Sequence, residues 1–234
     1  MSVAYDMLRL PRVARPLRLA LLVLAGLLLL PYLLVPLYAF IEPPSTLMLW
    51  RRVTGDRVER TYVPLSRISR NLQRAVLVAE DGRFCGHFGV DWVEIQDAIE
   101  DAEGLDDLRG GSTITQQVAK NLFLWPGRSF VRKALEFPLA LWIDMVLSKS
   151  RILEIYLNIA EWGPDGEFGA EAGARRAFGK SARDLSTYQA ALLAAVLPNP
   201  HSRDAKRPRP GLRRLAGLYV ARANRSGGVT ACLK

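Results

Sequence analysis

Residues 66–89 read SRISRNLQRAVLVAEDGRFCGHFG. Ile68, Leu72, Ala75, Val76 and Ala79 recur at intervals of three and four, the period of a helix with one apolar face. The pattern predicts a helix from Ser66 that stops at Gly82. That helix delivers two adjacent carboxylates, Glu80 and Asp81, to its own end. Phe84, Cys85, His87 and Phe88 follow within eight positions. Two acids at the end of an apolar helix, crowded by aromatics, ask for a reason beyond solvation.

Outward from this stretch the chain keeps the same period. Helical patterns cover 92–103, 112–121, 130–147, 150–159, 170–178 and 186–197, where Pro198 ends the run. A further helix follows the Pro/Arg stretch KRPRPGLRR. Thr61-Tyr62-Val63-Pro64 reads as extended, because the residue before a proline avoids the helical region. No strand pair and no internal repeat is evident. The expectation is an all-α, predominantly helical domain over 65–234, reached by a juxtamembrane linker over 42–64.

Residues 19–41, LALLVLAGLLLLPYLLVPLYAFI, carry no charge. A run of roughly 20 apolar residues crosses a bilayer, so one N-terminal transmembrane helix is expected over 19–41. Arg9, Arg12, Arg15 and Arg18 precede it, which places 1–18 in the cytoplasm and the remainder outside. A cleaved signal would have an apolar core of about 7–15 residues and a small-x-small site. This run is longer, and LYAFIEPP offers no such site. The net charge of +9 comes with no zinc spacing and no aromatic RNA-binding signature. The expected partner is therefore the membrane surface, and nucleic acid is excluded. Two cysteines, Cys85 and Cys232, make no framework, and no disulfide between them is expected.

Two further stretches carry chemistry. In GGSTITQQVAKN, residues 110–121, Thr113 and Gln116 fit a capping box. Thr113, Gln117 and Lys120 form one polar face at i, i+4 and i+7. The paired glycines before the helix suit an anion at free N–H groups, though not in P-loop spacing. In RKALE, residues 132–136, Arg132 and Lys133 stand one turn before Glu136. Taken alone these make an exposed ion pair worth about 0.3–0.5 kcal/mol. Paired carboxylates are the usual equipment for chemistry at an anomeric carbon. A diphosphate leaving group departs as a stable anion, so it needs cations more than a protonating acid. One carboxylate then acts as base while basic groups hold the diphosphate.

EDGRFCGHFG, GGSTITQQVAKNLFL, RKALE, KSRILEIYLN and RRAFGK stand in the order and spacing of the peptidoglycan glycosyltransferases, glycosyltransferase family 51. The resemblance covers about residues 60–200. IAEWGPDGEFGAEAGA is similar to the monofunctional members, and no room is left for a penicillin-binding transpeptidase domain. Ala177 and Gln189 depart from the family pattern. The resemblance implies a lysozyme-like, two-lobed helical fold and polymerisation of lipid II into β-1,4-linked glycan with release of undecaprenyl diphosphate. It implies Glu80 as general base in an apolar setting of Phe84 and Phe88, and Glu136 as the second acid. Asp81 and His87 brace the loop. Lys120 and Arg132 hold the donor's diphosphate, with Lys133 beside them, and Thr113, Gln117 and Asn121 line the cleft. No tightly bound cofactor is implied, and Glu136 is left open to a divalent cation, magnesium or manganese. KSRILEIYLN reads mainly as scaffold, with Asn158 capping its helix. Leu122, Phe123, Leu124, Trp125, Arg128 and Phe130 fit a membrane-contacting segment.

The implied partners are lipid II, the lipid-linked glycan, the bacterial inner membrane and proteins of wall synthesis or division, with the catalytic domain in the periplasm. The rival readings are a lysozyme-like hydrolase, which has no use for cations at the second carboxylate, and a catalytically inert membrane scaffold.

Overall fold

The computed structural model describes residues 15–100, 111–127 and 129–233. Residues 101–103 of the expected second helix, Arg109-Gly110, Arg128 and the first fourteen residues lie outside them. The fold is predominantly helical. Among the described residues the helices are α1 (Arg15–Leu37), α2 (Thr46–Thr54), α3 (Arg70–Glu80), α4 (Trp92–Glu100), α5 (Ile114–Phe123), α6 (Phe130–Val146), α7 (Lys149–Ile159), α8 (Ala170–Phe178), α9 (Thr187–Val196) and α10 (Pro210–Arg225). Among the described residues there is one small sheet, which the periodicity does not foretell. β1 (Glu59–Arg60) runs parallel to β2 (Glu167–Phe168). Two-residue strands are too short to leave an alternation in the sequence.

α1 is long and apolar enough to cross a membrane. It keeps most of its leucines exposed, Leu22, Leu27 and Leu33 among them. Its last turns are different. Val35 is fully buried, Trp142 of α6 donates its indole N–H to the Tyr32 carbonyl at 3.1 Å, and Tyr38 stacks on Phe123 at 5.8 Å. The helix thus leans its C-terminal end on the domain.

The stretch expected as a bare linker holds α2. Ser45 caps it, accepting from the Met48 N–H, and Met48 is fully buried. Thr46 donates its hydroxyl to the Leu124 carbonyl at 2.7 Å, tying α2 to the end of α5. Apolar positions in a nine-residue helix are too few to declare a period, which is why the pattern passed it by. Helix α3 starts at Arg70, later than its apolar period suggests, because Leu65–Arg67 form a separate 3-10 turn and Ser69 is the cap.

The core joins two groups of helices. α3 packs on α9 and α10, while α5 packs on α6 and α7. Leu72, Val76 and Leu77 of α3, Ile114 and Val118 of α5, and Ile152, Leu153 and Ile155 of α7 are all buried. Asn158 does not cap its helix. Its side chain receives the Val63 N–H and donates to the Val63 carbonyl, both at 2.9 Å, and so pins the extended 61–64 segment to α7.

The cysteine expectation is overturned. Cys85 and Cys232 form a disulfide across 147 positions. Their separation says nothing of proximity. The fold of α10 and the tail behind it brings Cys232 back to the loop after Glu80.

Candidate active site

The site is assembled where the end of α3 meets α5. Asp81 is buried and holds the two elements together: its Oδ2 accepts the Ile114 N–H at 2.8 Å, at the first turn of α5. Its Oδ1 lies 2.9 Å from Nε2 of His87. A carboxylate on a free helix N–H both satisfies an orphan donor and complements the helix dipole. Thr113 closes the same joint. It forms the expected capping box with Gln116, and its hydroxyl donates to the Gly89 carbonyl at 2.6 Å.

Two residues outside the earlier assignments complete the brace. Asp144 of α6 accepts the Gly89 N–H at 2.5 Å and pairs with Lys149 at 2.7 Å. Lys149 also donates to the His87 carbonyl at 2.9 Å and lies over the Phe84 ring. Gly89 itself sits at φ +69, where a Cβ would stand 2.6 Å from the Ala140 carbonyl oxygen. The loop 82–89 is thereby clamped between α5, α6 and α7, and Glu80 is carried at its root.

Glu80 is half-buried, and its Oε2 accepts the amide of Gln117 at 3.0 Å. Burial pushes its pKa above the ordinary carboxylate range, opposed by the Gln117 bond and the charges of Lys120 and Arg203. Gln117 is fixed from its other end, where Oε1 accepts the buried Tyr156 hydroxyl at 3.1 Å. Gln117, Lys120 and Asn121 line a pocket of about 140 Å3, with Tyr156 and Glu161 on its walls. Lys120 has no hydrogen-bond or ion-pair partner among the described residues. Its pKa is lowered, first by burial, then by the charge of Arg132, with Glu80 opposing.

The second carboxylate is not on the surface. Glu136 is only 3% exposed, and it takes Arg132 on one oxygen and Lys133 on the other, the latter at 3.1 Å. The exposed-pair alternative therefore fails, since removing one partner of a buried pair strands a charge. Lys133 also donates to Ser112 at 2.8 Å. Its pKa is lowered to about 8 by burial, then by Arg132 and Lys120. Arg132 leaves a buried Nε without a partner. Arg132 and Lys133 thus share one corner with Glu136, within electrostatic reach of Lys120.

The structure brings together Glu80, Gln117 and Lys120, and separately gathers Arg132, Lys133 and Glu136 within electrostatic reach of Lys120. Thr113, expected to line the cleft, is buried and already engaged, as is Asp81, while Phe84 is buried under Lys149. His87 spends one ring nitrogen on Asp81. Phe88 is half exposed, so Phe84 is the buried member of the expected apolar pair. In the expected membrane-contacting segment, Leu122 and Leu124 belong to the core, and Trp125 and Phe130 are exposed.

A divalent cation at Glu136 does not fit these residues. Both its oxygens are engaged by cationic side chains, and no group of three His, Cys, Asp or Glu suited to a metal occurs among the described residues. Sequence reasoning missed Asp144, Lys149, Glu161 and Arg203. The lysine of KSRILEIYLN was the one available signal, since a lysine opening an apolar helix has no packing role.

The site thus sets a half-buried carboxylate with a raised pKa near a group of cations. Comparison with known proteins gives the family. The transglycosylase family matches residues 48–221. Over 213 residues the chain is 63% identical to the biosynthetic peptidoglycan transglycosylase of Rhodopseudomonas palustris strain TIE-1, covering 91% of this chain and 90% of that one. The protein of the same name from Nitrobacter hamburgensis is 61% identical over 202 residues, 86% of this chain and 89% of that one. That of Agrobacterium fabrum is 54% identical over 212 residues, 90% and 93%. The chain belongs to the transglycosylase family, enzymes that transfer glycosyl groups.

Proposed function

We propose that this protein is a peptidoglycan glycosyltransferase that polymerises lipid II into β-1,4-linked glycan and releases undecaprenyl diphosphate. Glu80 takes the proton from the acceptor's 4-hydroxyl as that oxygen attacks C1 of the lipid-linked donor. The C1–O bond to the diphosphate breaks, its electron pair leaves on the diphosphate oxygen, and the configuration at C1 inverts. Lys120, Arg132 and Lys133 hold the charge that develops there, and Glu136 fixes the direction of Arg132 and Lys133. Asp81 and His87 act through position, by holding the Glu80 loop on α5.

The observation that supports this reading best is Lys120. It is a partly desolvated ammonium without a partner of its own among the described residues, within electrostatic reach of Glu80 and Arg132. A hydrolase, which adds water across a sugar bond and must protonate an alcohol, has no need of it. α1 serves as a single-pass anchor in the inner membrane, with its basic end cytoplasmic and the catalytic domain periplasmic. Trp125 and Phe130 are the exposed aromatics of the segment that meets the lipid.

The test is Glu80→Gln assayed on lipid II. The amide keeps the shape and cannot accept the proton, so turnover should fall by about 10²–10⁴-fold with the melt unchanged. Turnover within about tenfold of wild type removes Glu80 as the base. Shortening of preformed glycan without lengthening from lipid II would return the hydrolase.

A further inference from the structure

A second depression, of about 600 Å3, shares no lining residue with the pocket at Gln117. Three arginines face it, Arg70, Arg74 and Arg151, together with the hydroxyls of Ser66 and Ser148. Glu154 is the one acid of its lining, and that acid is already committed. Oε1 accepts the Tyr62 hydroxyl at 2.9 Å and pairs with Arg151, while Oε2 accepts the Leu65 N–H at 2.7 Å. Arg70 and Arg74 stand one turn apart on α3, exposed, with no carboxylate or hydrogen-bond partner among the described residues. The first turns of α3 and α7 both border the groove, so two positive helix ends add to the arginines. The disulfide-anchored tail closes one side.

The position of the groove is fixed by Arg151. Its Nε donates to the Tyr38 carbonyl at 2.8 Å and its Nη2 to the Ile41 carbonyl at 2.5 Å. Those two carbonyls directly follow α1. With α1 in the bilayer, they stand at the outer edge of the hydrocarbon, and the groove opens at the depth of the headgroup phosphates.

We infer that this groove binds the phosphate of an anionic phospholipid in the outer leaflet, gripped by Arg70 and Arg74. The inference rests on the reading of α1 as a membrane span. Guanidinium forks match phosphate oxygens, and a fixed basic groove at headgroup depth would orient the domain on the membrane.

The test uses the full-length protein in dodecyl maltoside micelles, melted with phosphatidylglycerol, phosphatidylcholine or inorganic phosphate added at equal concentration. Phosphatidylglycerol should raise the melting temperature, and each of the others should raise it by less than half as much. Arg70→Gln/Arg74→Gln should melt like wild type without lipid and lose at least half of the phosphatidylglycerol shift. Arg70→Lys/Arg74→Lys should keep only part of it, since lysine retains the charge and loses the fork; a shift equal to wild type would overturn the guanidinium grip. Should the glutamine pair melt early, Arg74→Gln alone is read in the same way. An undiminished shift in the glutamine variants overturns the site, and an equal shift with inorganic phosphate overturns the lipid as its ligand. Release of the protein from membranes by alkaline carbonate would overturn the anchor reading instead, whatever the lipid shift.

Discussion

Gln117→Met is expected to move the acid limb of the pH–rate profile upward without abolishing the activity. Gln117 donates to Glu80 Oε2 at 3.0 Å, and this bond favours the ionised carboxylate. A hydrogen bond to a charged group contributes about 1.5–3 kcal/mol. Losing the bond therefore raises the Glu80 pKa further above its ordinary value. Burial already holds this carboxyl high and the variant moves it further the same way, so the lost activity should recover as the pH rises. Methionine also leaves the Tyr156 hydroxyl, 1% exposed, without its acceptor. That orphan costs about 1–3 kcal/mol of stability. The assay is kcat/KM on lipid II across the pH range, beside a thermal melt at each pH. Glu80→Gln, in contrast, should show its large loss at every pH, with no recovery as the pH rises. An acid limb that stays in place in Gln117→Met, or a loss of equal size at all pH values, would refute the claim that Gln117 acts through the ionisation of Glu80.

Gly89→Ala should lower both melting temperature and turnover, because a left-handed φ costs an L-residue about 1–2 kcal/mol and the new Cβ meets the Ala140 carbonyl; a variant with both unchanged would show that the clamp on the 82–89 loop yields freely. Cys232→Ser should cost about 2–4 kcal/mol in denaturant melts, the usual value of a cross-link over a long loop. A reductant should lower the wild-type melt and leave the variant where it is. Lys133 has a folded-state pKa of about 8, below that of a free lysine, about 10.4. Between those values the unfolded chain binds more protons, so wild-type stability should rise with pH across this window, and Lys133→Met should lack the rise. Melts at several pH values from neutral to alkaline check the sign.

Much of the fold was legible locally. An apolar face repeating every three to four residues is a property of neighbours in the chain, so α3, α5, α6, α7 and α9 could be placed within a few residues. The capping box of Thr113 and Gln116 is equally local. α2 was lost because nine residues hold barely two turns of period. The chemistry-bearing residue types were legible through motif order, including Glu80, Lys120, Arg132 and Glu136. Their surroundings were not. Whether Glu136 sits in water or 3% exposed between two cations depends on what covers it, and no spacing within RKALE encodes that cover.

The sequence by itself determined that the chain is helical, that it carries one apolar run long enough for a bilayer, and that two acids stand among basic residues on separate helices. Only the tertiary structure decided what each acid is bonded to. Glu80 is bonded by a neutral amide, whereas Glu136 is held by Arg132 and Lys133. It also decided that Thr113 is a buried support, that Asp81 joins α3 to α5, and that Cys85 meets Cys232. Each of these depends on groups tens of residues apart approaching within a few ångströms. Hydrogen bonds and desolvation act over that distance alone, and only the packing of the helices brings such groups within it.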